Sequence, residues 1–76
     1  MVVKSVLIFK NGMAMVFDEK GKQIPRLQGP IFEVIEKIAQ DADENTEFEM
    51  QGGKMNVSWW FATRKKDPTA QPVVEF

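Results

Sequence analysis

The sequence predicts a small α+β domain in the order ββ(β)αββ, in which antiparallel hairpins flank one amphipathic helix that packs on the sheet. Three patterns indicate this fold class. The segments on either side of Asn11-Gly12 consist of strand-forming residues, residues 31–42 carry apolar side chains at helical spacing, and residues 46–63 alternate between apolar and polar side chains. A length of 76 residues fits one domain, near the lower limit for folding without disulfides or metals.

The first hairpin is centred on Asn11-Gly12, with strands over residues 2–9 and 13–17. This dipeptide tolerates positive φ at both central positions of a type I′ turn. The resulting two-residue loop pairs Val6 with Phe17 and makes both faces of the hairpin apolar. Because one helix covers only one face of a sheet, the other face has to be buried by the C-terminal tail, a second copy of the chain or another protein.

The helix is predicted from its apolar spacing and from the residues that precede it. A turn with Gly21 in the left-handed conformation leads to a short third strand over residues 22–24, which ends at Pro25. Pro30 then lies in the first turn of the helix, where its missing N–H costs nothing. The predicted buried stripe is formed by Ile31, Ile35, Ile38 and Ala42, widened by Phe32, Val34 and Ala39.

The second hairpin joins residues 46–51 to residues 54–63 through Gly52-Gly53. Alternation puts Trp59 on the core face and Trp60 on the polar face, so we expect Trp59 to be buried and Trp60 to be at least partly accessible. The composition changes after Arg64. We therefore assign the domain to residues 1–64 and expect residues 65–76 to form an extended or frayed tail.

The chain contains neither cysteine nor histidine. Disulfides, thiolate metal sites, histidine bases and histidine metal ligands are therefore excluded, and we expect a non-catalytic protein with no cofactor and no bound metal. The chain also lacks an apolar run of about 20 residues and a signal-peptide pattern. These features predict a cytoplasmic protein that does not bind membranes.

Acidic residues are concentrated in the middle of the chain. Residues 29–49 hold seven acidic residues and one basic residue, whereas the segments before and after them are net basic. This acidic segment is typical of a docking face for a basic partner, although solubility alone is the other interpretation. We predict a small protein-binding module that works as a homodimer and modulates a larger complex. The predicted partner-binding residues are Glu33, Glu36, Asp41, Asp43, Glu44, Glu47 and Glu49.

Nucleic-acid binding is the alternative prediction. In the predicted strand, an aromatic side chain stands on the polar face just before a short basic run, which resembles a surface for single-stranded nucleic acid. The residues of this alternative site are Asn56, Trp60, Arg64, Lys65 and Lys66. Glu47 and Glu49 lie on the neighbouring strand of the same predicted face and would repel phosphates.

Overall fold

The computed structural model describes residues 3–75 and has the predicted α+β architecture. A mixed four-stranded sheet in the order β3-β2-β1-β4 carries two helices on one face, and a separate two-stranded sheet pairs β5 with β6. The elements are β1 (Val3–Ile8), β2 (Met13–Asp18), a 3-10 turn (Pro25–Leu27), β3 (Gly29–Pro30), α1 (Ile31–Asp41), β4 (Glu47–Met50), β5 (Lys54–Met55), α2 (Val57–Arg64) and β6 (Val74–Glu75). The predicted strand start at Val2 and the final residue, Phe76, lie outside the described residues.

The loop of the first hairpin contains three residues, so the predicted type I′ turn is wrong. The Phe9 N–H donates to the Met13 carbonyl at 2.8 Å, and the Gly12 N–H donates to the Phe9 carbonyl at 2.9 Å. Of the three loop residues, only Gly12 has positive φ, at 85°. Asn11 keeps negative φ and accepts a hydrogen bond from the Met13 N–H through its side chain. The loop is therefore a type I turn that continues into a glycine bulge.

The longer loop shifts the register of β2 by one residue. Val6 pairs with Val16 instead of Phe17, and Ile8 pairs with Ala14. Because side chains alternate along a strand, this shift exchanges the two faces of β2. The pairing buries Val6, Ile8, Ala14 and Val16 together in the core.

The predicted second hairpin is also wrong. β4 pairs in parallel with β1, placing Phe48 beside Val6. Of the predicted return strand over residues 54–63, only Lys54–Met55 form a strand, which pairs with β6, and Val57–Arg64 form α2. The apolar and basic residues of this segment recur at helical spacing as well as in alternation, and the helix brings Trp60 against the core. Two residues of β4, Phe48 and Met50, pack against the same core from the sheet.

The helix prediction is confirmed for α1, which begins after Pro30 and buries five residues of the predicted stripe, Ile31, Val34, Ile35, Ile38 and Ala39. Phe32, which was predicted to widen the stripe, is instead 62% exposed, and Ala42 lies just beyond the helix. The helix ends at Asp41, so Asp43 and Glu44 lie beyond it.

The predicted third strand is reduced to one bridge between Phe17 and Gln23. The turn before it has the expected left-handed glycine, because Gly21 has a φ of 79°.

The described part of the C-terminal tail returns to the helix side of the molecule. The Trp60 indole N–H donates to the Ala70 carbonyl at 3.0 Å, and the Gln71 side chain donates to Glu36 at 2.6 Å. Pro72 is buried, and β6 pairs with β5. The tail therefore packs against α1 and α2, on the side of the sheet where the core lies.

Candidate functional site

One face of the four-stranded sheet has no layer packed on it within residues 3–75. Alternation turns Leu7, Met13, Met15 and Phe17 away from the core, and none of these side chains packs against it. Met13 is 40% exposed, and the other three are half-buried. Leu7 lies directly across from Met15, which accounts for part of their burial. We call this apolar surface the open face.

Two glutamates border the open face along β4. Glu47 pairs with Ser5 and Glu49 pairs with Leu7 in the parallel ladder, so both carboxylates project on the side away from the helices. Both residues are exposed. Neither forms an ion pair within residues 3–75. The open face is therefore apolar over β1 and β2 and acidic along the β4 edge.

The other five predicted acidic residues do not join this surface. Glu33 is exposed on α1, on the opposite side of the sheet from the open face. Glu36 accepts a hydrogen bond from Arg64 at 3.2 Å, which links α1 to α2. Asp41, at the end of α1, pairs with Arg26 at 2.9 Å. This cation offsets the unfavourable position of a carboxylate at a helix C-terminus.

The last two of these acidic residues shape the loop before β4. Asp43 accepts a hydrogen bond from the Asn45 N–H at 2.8 Å, and its own N–H donates to the Thr46 hydroxyl at 3.1 Å. Glu44 forms an ion pair with Lys65 of the segment after α2. The seven acidic residues are therefore divided between two sides of the sheet, and three of them have cationic partners.

Most residues of the alternative nucleic-acid site are buried or bonded to other residues of the protein. The prediction that Trp60 is accessible is wrong, because Trp60 is completely buried, whereas Trp59 is 52% exposed. Arg64 lies over the Trp60 ring at 5.5 Å and is also paired with Glu36. The Asn56 side chain accepts the Val73 N–H at 2.7 Å and so holds the tail.

The basic run after α2 offers little free charge. Lys65 is paired with Glu44, and Lys66 is exposed without an ion pair among the described residues. The helical spacing of residues 57, 60, 61 and 64 was the signal that could have identified Trp60 and Arg64 as inward-facing.

A surface crevice of about 350 Å³ lies between α2 and the loop before β4. Its charged lining residues, Glu44 and Lys65, are paired with each other. No cluster of three carboxylates within residues 3–75 is placed to hold a metal ion. The pKa of Asp67 is lowered from its usual value, first by the hydrogen bond from the Thr69 hydroxyl and then by the Thr69 backbone N–H.

Comparisons with protein-family models, curated proteins and solved structures found no match to this chain. Neither of the helices formed by residues 3–75 has the length and apolar character needed to cross a bilayer.

Proposed function

We propose that this chain is a small, non-catalytic protein-binding module that self-associates through the open face and modulates a larger complex. The observation that carries the proposal is the row of apolar side chains at Leu7, Met13, Met15 and Phe17, which lies outside the packed core and is only partly buried within residues 3–75. Apolar side chains that lie side by side on one sheet face and keep part of their surface in water are typical of an interaction site. The sequence supplies no histidine or cysteine for nucleophilic or metal chemistry, which supports a binding role over a catalytic one.

A second copy of the chain is the occupant that we propose for the open face. The tail is held on the helix side by Trp60 and Glu36, so its described residues cannot cover this face at the same time. A twofold arrangement that stacks two open faces would remove both apolar rows from water together. The carboxylates of Glu47 and Glu49 stand at the edge of the face and can remain hydrated in such a dimer.

Self-association can be tested with Met15→Lys, which places a charge in the middle of the open face. We expect the wild-type chain to sediment mainly as a dimer at micromolar concentration and Met15→Lys to sediment as a monomer with a similar melting curve. Trp59→Lys is the matched control, because it removes an exposed apolar side chain from the helix side. A wild-type chain that remains monomeric, or a dimer that Met15→Lys leaves intact, would contradict the proposal.

We place the module in the cytoplasm, because secreted domains of this size are commonly rich in disulfides and this chain has no cysteine. Nucleic-acid binding is not supported by a specific observation. Four of its five predicted residues have partners within the protein: Trp60 is buried, Arg64 and Lys65 are in ion pairs, and Asn56 accepts a backbone hydrogen bond. A nuclease-treated pull-down would distinguish a protein partner from one recovered through nucleic acid.

A further inference from the structure

β4 is an edge strand with backbone groups that point away from the sheet. The Gln51 N–H donates to the Ile8 carbonyl at 2.9 Å, and alternate residues of a strand direct their backbone groups to the same edge. Glu47 and Glu49 therefore bond toward β1, whereas Phe48 and Met50 direct their N–H and C=O groups outward. No backbone hydrogen bond within residues 3–75 reaches these outward groups. Unpaired backbone groups along the edge of a sheet can pair with a further strand.

The two glutamates oppose pairing of this edge with the β4 of a second copy. A twofold axis perpendicular to the sheet keeps each face of the sheet on its own side, so Glu47 and Glu49 of both copies would share one face. In the antiparallel registers centred on β4, either Glu49 lies opposite itself or Glu47 lies opposite Glu49. Like charges directly across a strand pair are destabilising. Charged side chains are a common protection of edge strands against self-pairing.

The same charges favour a basic strand. We propose that the β4 edge binds an extended segment of a partner protein in which lysine or arginine alternates with apolar residues. In such a segment the basic side chains would lie beside Glu47 and Glu49 on one side of the enlarged sheet. The apolar side chains would lie beside Phe48 and Met50 on the other side, where these residues border the core. Strand addition of this kind draws affinity from main-chain hydrogen bonds and specificity from alternate side chains.

The carboxylates at the β4 edge differ from most other acidic residues of the predicted site because they have no basic partner within residues 3–75. Glu36, Asp41 and Glu44 already have basic partners within the chain. Glu47 and Glu49 are exposed and unpaired within residues 3–75, and they stand next to the free backbone groups. This inference rests on the proposed protein-binding function and names the chemistry of the partner.

The probe for this site is a synthetic eight-residue peptide in which lysine alternates with valine. We expect it to bind the wild-type chain with an affinity that falls as salt is raised. The double variant Glu47→Lys/Glu49→Lys should weaken binding by about tenfold or more, because two attractive cross-strand pairs become repulsive. A peptide that alternates glutamate with valine should instead prefer this double variant. Glu33→Lys, an exposed charge reversal on α1, is the matched control and should bind the lysine peptide like the wild type.

Backbone pairing is tested separately by methylating the amide nitrogens of the peptide in two alternate sets. A peptide added to a strand edge bonds with one set only, so one methylated peptide should lose binding and the other should retain it. An equal response to both sets, equal affinity for Glu47→Lys/Glu49→Lys and the wild type, or no binding at all would overturn the proposal. A circular dichroism melt of Glu47→Lys/Glu49→Lys, compared with that of the wild type, checks that the variant is folded. Glu47→Gln/Glu49→Gln, which keeps the shape of both side chains, should show an intermediate loss.

The outcome is separable from that of the proposed function. A wild-type dimer that Met15→Lys dissociates, but that does not bind the lysine peptide, would overturn the edge site alone. A wild-type chain that is monomeric and unaffected by Met15→Lys would contradict self-association. Loss of peptide binding in Glu47→Lys/Glu49→Lys would still support the binding site at the β4 edge in that case.

Discussion

Trp60 provides the sharpest test of the packing of α2. Its side chain is completely buried, and its ring lies 5.0 Å from the Phe61 ring and 6.2 Å from the Phe48 ring, measured between centroids. We expect Trp60→Ala to lower the free energy of unfolding by about 3–5 kcal/mol, the usual cost of removing a buried aromatic side chain. At about 0.05–0.15 kcal/mol per residue, a domain of this size has a total stability of roughly 4–11 kcal/mol. The substitution therefore removes a large share of the stability.

A milder substitution separates the hydrogen bond from the ring packing. Trp60→Phe keeps an aromatic ring but removes the indole N–H that donates to the Ala70 carbonyl at 3.0 Å. Leaving a partly buried carbonyl without its donor costs about 1–3 kcal/mol, so this variant should remain folded with reduced stability. Because the lost bond holds the tail, amide hydrogens around β6 should exchange faster with solvent in this variant.

Urea denaturation followed by far-ultraviolet circular dichroism measures both effects. Trp59→Ala is the matched control, because Trp59 is the neighbouring residue and is 52% exposed. The control should change the free energy of unfolding by no more than about 0.5 kcal/mol. The emission of the remaining tryptophan should also be blue-shifted when Trp60 is retained and red-shifted when only Trp59 is retained. Equal destabilisation by Trp59→Ala and Trp60→Ala would refute the helical packing of residues 57–64.

Three further predictions concern residues in the turns and loops of the chain. Gly53→Ala should lower stability by about 1–3 kcal/mol and disrupt the β5–β6 pairing seen by NMR, because the added Cβ would lie 2.2 Å from a backbone oxygen of β6. Thr46→Val should cost about 1–3 kcal/mol in urea denaturation, because the buried hydroxyl donates to the Val3 carbonyl at 2.7 Å and the isosteric side chain leaves that carbonyl unpaired. Asp67 accepts a hydrogen bond from the Thr69 hydroxyl and has a lowered pKa. Its carboxylate therefore contributes to stability above pH ~3.9, and this contribution is lost as the pH falls through the folded-state pKa. The melting temperatures of the wild type and Asp67→Asn should converge at low pH.

Some of this fold could be predicted from short stretches of sequence. The apolar spacing of residues 31–39 was sufficient to locate α1, because a helix buries the same face whatever it packs against. The left-handed conformation at Gly21 followed in the same way from one turn and one residue type. The alternation of residues 47–50 also placed Phe48 toward the core and the two glutamates away from it.

The sequence-based predictions were wrong where the same residues are compatible with two local structures. Asn11-Gly12 fits a two-residue loop as well as a three-residue loop, and only the second puts Ala14 and Val16 beside Val6 against the helices. Residues 57–64 satisfy both alternation and helical spacing, and burial of Trp60 against Phe48 favours the helix.

The candidate site could also be predicted only in part. The sequence identified the carboxylates but not which of them form ion pairs with basic residues. Glu36 meets Arg64 across 28 positions of sequence, and Asp41 meets Arg26 across 15, so their neutralisation depends on how α1 packs against the rest of the chain.

The sequence by itself determined the α+β class, the course of α1, the absence of histidine and cysteine chemistry, and the acidic character of residues 29–49. These properties depend on composition and on spacing within one element. Only the tertiary structure decided that β4 lies parallel to β1, which sheet face the helices cover, and which glutamates remain unpaired. Those features depend on contacts between distant residues, where the competing arrangements differ in the apolar surface that they bury together and not in local conformational preference.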